Sequence, residues 1–119
     1  MSVSLLTNSS PYPTVTVNTQ TGTTYTFVAA DGTNALVTLN NASTITATIP
    51  PNSSVAYPVG TVLNFTQLGA GQVTIAQGSG VTITSTGATS SAPKLRTRYS
   101  GASAIQLSAD NWVVMGDIA

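Results

Sequence analysis

Few of the side chains in this sequence can do covalent chemistry. The chain of 119 residues contains no His and no Cys, three Lys or Arg, and three Asp or Glu. A hydroxyl nucleophile needs a base within hydrogen-bond reach. No imidazole can serve, and the nearest substitute is Ser91 with Lys94, three residues apart. Glycoside hydrolysis needs two carboxyls about 5–9.5 Å apart. The acids are only Asp31, Asp110 and Asp117. The first two stand in turn-like contexts, where Asp is favoured for backbone reasons. The same three acids offer no calcium-loop spacing, and without thiolate or imidazole there is no zinc ligand set. The expectation is a protein that is not an enzyme and carries no cofactor and no metal.

The positive charge is concentrated. Lys94, Arg96 and Arg98 fall at alternate positions within five residues. On a strand they share one face, spaced about 6.6 Å apart along it. Such a stripe is either a solvated, edge-protecting face or a contact for a partner or a neighbouring subunit. Net charge is zero. That is too little basic character for nucleic-acid binding or for a basic membrane-surface face. Nor is there an apolar run of the roughly 20 residues a spanning helix needs. No partner of either kind is expected. Trp112 is expected in the core, since one Trp and two Phe make a poor sugar-binding platform.

The elements that must position these residues are short strands. Thr is abundant, and its branched Cβ favours strands. Ile45, Ala47 and Ile49 alternate with Thr44, Thr46 and Thr48, until Pro50-Pro51 stops the ladder. Similar runs stand at 25–30, 35–39, 62–67, 72–76, 81–85, 94–100, 104–108 and 112–116. Asp31-Gly32, Asn40-Asn41, Gly69-Ala70-Gly71, Gly78-Ser79-Gly80 and Asp110-Asn111 punctuate them. Residues 72–76 read as a hairpin partner of 62–67. In 94–100, Leu95 and Tyr99 share the face opposite the basic residues. No window carries a helical stripe. The pattern implies an all-β fold: a compact antiparallel β-sandwich or jelly-roll-like barrel over residues 24–119. The phrase G-x-V-T-I occurs too few times to require a solenoid. Residues 1–23 read as an extended N-terminal arm. In it Pro13 holds Tyr12 extended, and Val15 and Val17 share a face that calls for a surface. Tyr12, Val15, Val17, Lys94, Arg96 and Arg98 are therefore the candidate contacts to a partner or subunit.

Five motifs in order add a resemblance: PPNSSVAYPVGT (50–61), QLGAGQVT (67–74), GSGVTI (78–83), KLRTRYS (94–100) and WVVMGD (112–117). From Asn40 to Asp117 the chain resembles a non-enzymatic module of tailed-phage virion proteins, found in head decorations, tail fibres and baseplate-associated proteins. The resemblance implies a structural role in a bacteriophage particle. An arm on one compact module, with no room for a fibre shaft, favours a capsid decoration (cement) protein on the outer surface of the head. Its expected partner is the major capsid protein, and it is expected as a homo-oligomer, a trimer. The alternative is a short tail-fibre or tail-tip component that binds the host surface.

Overall fold

A computed structural model describes residues 12–119. Nine strands and one short 3-10 turn make up its regular structure. The strands are β1 (Thr16–Gln20), β2 (Thr24–Thr26), β3 (Ala35–Leu39), β4 (Ile45–Ile49), β5 (Val62–Gln67), β6 (Val73–Gln77), β7 (Thr82–Ser85), β8 (Gly101–Ser108) and β9 (Asn111–Gly116). The 3-10 turn, Ala29–Gly32, lies between β2 and β3. The fold is all-β, as the alternation implies.

The strand order departs from the antiparallel expectation. One sheet runs β1-β3-β5-β8-β9-β7 and the other β2-β4-β6. Five of the seven strand pairings are parallel, and only β5–β8 and β8–β9 are antiparallel. The first six strands form three successive coils, β1–β2, β3–β4 and β5–β6. Each coil adds one strand to each sheet, in register with the coil before it. A parallel pair needs a long crossover, and here the strand in the opposite sheet supplies it. The Asn40-Asn41 break and the Gly69-Ala70-Gly71 link, the second read as a hairpin link, are corners that carry the chain from one sheet to the other. Thus β5 and β6 are not a hairpin, and β7 pairs with β9 rather than with β6.

Backbone hydrogen bonding continues around these corners. Asn40 N–H donates to Gln20 O and Leu68 N–H to Leu39 O, at 3.0 and 2.8 Å. Further round, Gly71 N–H donates to Asn41 O and Ile45 N–H to Gln72 O. The third corner lies so close on the second that side chains are excluded. A Cβ on Gly69 would stand 2.5 Å from Asn41 O, and one on Gly71 only 1.8 Å from Ser43 O. This is why the corner reads Gly-Ala-Gly: the backbone approach requires it.

Between the sheets lies one core. Alternation sends Val37 and Leu39, Ile45, Ala47 and Ile49, Leu63 and Phe65, Val73 and Ile75 inward, and all are fully buried. Each such large aliphatic or aromatic side chain contributes about 1.5–3 kcal/mol. Trp112 of β9 and Tyr57 of the 50–61 connector pack edge to face, with centroids 5.5 Å apart. Trp112 therefore belongs to the core and is no sugar platform. The segment 94–100 is not the expected strand. Lys94 and Leu95 make single bridges to Thr74 and Ile118, and the chain then turns at 97–99. Leu95 is buried, but Tyr99 is exposed with φ 71°, so the two do not share a face. The cause is closure of the core by the C-terminal residues. Leu95 is held there by its own N–H to Val73 O and by the bridge to Ile118.

Gly71→Ala is expected to destabilise the fold by about 3 kcal/mol or more, the upper range for forced overpacking. Gly22, whose Cβ would meet nothing closer than 3.5 Å, should accept Ala with little change. Urea unfolding of the two variants checks this, and equal midpoints would contradict the stacked-corner explanation.

Candidate functional site

Each charged side chain can be followed to its place. Asp31 lies in the 3-10 turn and is 1% exposed. Its carboxylate accepts hydrogen bonds from Asn18 Nδ2 (2.9 Å), Val28 N–H (2.9 Å) and the Tyr25 hydroxyl. Asn18 Nδ2 also donates to Tyr25 Oη, and Gln20 Nε2 donates to Asn18 Oδ1, both at 2.8 Å. By register Asn18 and Gln20 lie beside Val37 and Leu39. The first coil thus points polar side chains where the next points apolar ones. A coil stack has an open end that must be closed by polar groups. Asp31, Asn18, Tyr25 and Gln20 close it here, and the charge-assisted bonds offset the burial of the carboxylate. Burial first, then the hydrogen bond to Asp31 and its charge, push the Tyr25 phenol above its ordinary range. Burial, followed by the charge of Asp31, pushes Tyr57 up to about 12.

Asp110 occupies the β8–β9 turn at φ 60°. Its Oδ1 accepts Asn52 N–H at 2.6 Å and its carbonyl accepts Thr82 N–H at 2.8 Å. It ties the 50–61 connector and β7 to that turn. Asp117 is gripped by Arg96 through Nε (2.6 Å) and Nη2 (2.9 Å), and by Ser100 Oγ (2.8 Å). The Arg96 and Ser100 hydrogen bonds hold the Asp117 carboxyl below the usual carboxylate range, and the same contact raises Arg96. Backbone bonds run beside this pair: Arg96 N–H to Asp117 O and Ala119 N–H to Lys94 O. The motifs KLRTRYS and WVVMGD are therefore two halves of one clasp.

The three basic residues do not form the expected stripe. Arg96 is matched by Asp117, the one ion pair among the described residues. Arg98 donates from Nε to Leu68 O and lies over the Tyr99 ring. Lys94 is half-buried in its bridge to Thr74. Among the described residues no three metal-ligating side chains cluster, and no helix is long and apolar enough to cross a membrane.

The structure gathers the apolar candidates instead. Val15 and Val17, read as part of an arm, lie at the start of the six-stranded sheet, with residues 16–20 paired to β3. Tyr12 precedes them and is exposed. On the outer face a cross-strand row runs Val17–Leu36–Asn64–Ser103–Met115. A second runs Val62–Ile105–Val113–Thr84. Val17 is 57% and Met115 50% exposed, and Val15, Val62 and Leu107 are exposed as well. Two shallow grooves of about 480 and 430 Å³ meet at Met115 and Gly116 on this face. These exposed apolar side chains flank a polar centre, where Ser103 Oγ donates to Asn64 Oδ1 at 2.7 Å. Sequence reasoning found Val15 and Val17 and missed Val62, Leu107 and Met115. Strands apolar in both alternation phases, as in Trp112–Met115, carry the sign of an apolar outer face.

No family model, no curated protein and no solved structure matches this chain.

Two pH dependences follow. The folded state holds Tyr25 and Tyr57 neutral, with pKa raised above the ordinary value of 10.0. The Tyr57 contribution is complete below pH 10 and is lost as pH rises through about 12, and that of Tyr25 is lost at higher pH still. Asp117 is depressed from 3.8, so its contribution holds above that value and is lost as pH falls below it. Protection of the Ala119 amide, relative to its intrinsic exchange rate at each pH, should fall below pH 3.8, and Asp117→Asn should show that lower protection already at neutral pH. Identical Ala119 protection in the two proteins would contradict the clasp. Asp31→Asn sets an amide donor against existing donors and should cost about 3 kcal/mol by thermal or urea unfolding.

Proposed function

We propose that this chain is a virion structural protein that decorates a phage capsid lattice, docking the outer face of its six-stranded sheet on the major capsid protein. The observation that carries this reading is the apolar face bearing Val15, Val17, Val62, Leu107 and Met115. A protein with net charge zero and an uncovered apolar sheet face has little colloidal protection as a free monomer. A lattice site removes that face from water. The motif resemblance supports a virion role. It is consistent with the motif positions being occupied by structural work: corner glycines, connector clasp and C-terminal clasp.

An N-terminal arm over residues 1–23 belongs to the same proposal. Residues 1–11 lie outside the described residues. Within that span, residues 16–20 pair with β3 of the same chain, so the part that would reach a neighbour is the stretch before β1. A trimer on a lattice symmetry axis would cover the remaining β edges.

Val17→Asp with Met115→Asp is expected to weaken co-sedimentation with undecorated capsids by about 100-fold or more, because two charges replace exposed apolar contacts on both flanks of the face. The melting temperature should stay within a few degrees, as both side chains are exposed. Unchanged capsid binding by a folded double variant would overturn the docking face. Saturable adsorption of the isolated protein to host cells, with none to capsids, would overturn decoration in favour of a host-binding role.

A further inference from the structure

Tyr99 is the one exposed aromatic whose backbone is held in the left-handed region, at φ 71° and 70% exposure. Glycine or asparagine is the natural residue there, and a bulky side chain is held against its own steric preference. Neither conformation nor burial calls for a tyrosine. The turn is nonetheless fixed. Tyr99 N–H donates to Gln67 O at 2.7 Å, and Ser100 N–H to Thr97 O and Thr97 N–H to Ser100 Oγ close it, both at 3.1 Å. Gln67 is itself fully buried, bonded through its side chain to Gly69 O and Val73 N–H. The turn is therefore anchored in the stacked third corner.

Arg98 is set beside this ring. Its Nε donates to Leu68 O at 3.0 Å, and its guanidinium carbon lies 5.2 Å from the Tyr99 centroid. No carboxylate of the described residues lies within ion-pair distance of it, whereas Arg96 is matched by Asp117. One guanidinium edge is thus engaged with the fold, and its two terminal nitrogens remain for a ligand.

The geometry points to a preorganised contact for a protein carboxylate, an Asp or Glu side chain of a partner taken end-on by the terminal nitrogens of Arg98 beside the Tyr99 ring. Paired guanidinium nitrogens match a carboxylate bidentately. Anchoring Arg98 through Nε and the Tyr99 backbone through its N–H lowers the ordering cost on binding, and Tyr and Arg are enriched among the side chains that dominate interfaces. Phosphate chemistry fits less well. A nucleic acid needs several neutralising contacts, and Arg98 has only half-buried Lys94 and already matched Arg96 to supplement it. This site lies in a different segment from the apolar outer face and stands whether or not the capsid is the partner.

Isotope-labelled full-length protein, titrated with a triglutamate peptide and followed by NMR, tests this. Saturable shifts at Arg98 Nε–H and the Tyr99 ring are expected, with affinity weakened at least about tenfold by Arg98→Ala, the loss of one charge-assisted pair. Tyr99→Gly is expected to raise the melting temperature, by relieving the backbone, while weakening the peptide about fivefold or more. Absence of saturable shifts at these two residues would overturn the proposal. So would inorganic phosphate or an oligothymidylate binding there as tightly as the peptide. A lowered melting temperature in Tyr99→Gly would show that the ring serves the fold and would overturn it equally.

Discussion

The close stacking of one backbone corner on another is the constraint from which the rest of this structure follows. Coils repeat at the strand spacing of about 4.8 Å, and at the third corner that spacing leaves no room for a Cβ at Gly69 or Gly71. With the corners in contact, Leu68 and Gly71 N–H donate to the corner below and Ile45 N–H to the one above. The inward residues of each coil then fall on those of the next: Val37 beside Phe65, Ala47 beside Ile75. A chain with so little charge can fold this way because its polar backbone is paired along the strands and around the bends, and Thr supplies the solvent face.

A stack of coils has two ends, and the sequence treats them differently. At the first, Asn18, Gln20, Tyr25 and buried Asp31 replace the apolar set with a hydrogen-bonded polar one. At the other, the stack is continued by the antiparallel β8–β9 pair and β7, and closed by the clasp of Arg96 and Ser100 on Asp117. Two of the three acids thus work at the two ends of the molecule, and the third pins the β8–β9 turn. The charged groups that first invite a chemical reading hold the fold, and the outer face of the six-stranded sheet keeps exposed apolar side chains.

Much of this was legible in the residues. Alternation located β3, β4, β5, β7 and β9 and separated the two faces of β4, and Trp112 was expected inside. Strand direction was not legible, because a five-residue link such as 40–44 looks the same whether it reverses a hairpin or turns a corner. Only the distance to the next strand in the same sheet distinguishes them, and that depends on tertiary stacking. The segment 94–100 misled for a related reason. Alternation of Leu95, Thr97 and Tyr99 imitates a strand, but the pull of the C-terminal residues on Leu95 and the left-handed Tyr99 break it. Asp31 was placed in its turn without sign of burial, since its donors come from Asn18 and Tyr25, which no local pattern links to it. Of the candidate contacts, Val15 and Val17 lie on the apolar face with Tyr12 just before them. Lys94, Arg96 and Arg98 are divided among a strand-like bridge, an internal ion pair and an exposed stack.

Cryo-electron microscopy of the intact phage particle tests the proposed role most directly. The account predicts many copies of this chain on the head shell, each with Val17, Val62 and Met115 against capsid protein. Copies found only at the tail tip, or on the head with that face open to solvent, would contradict it.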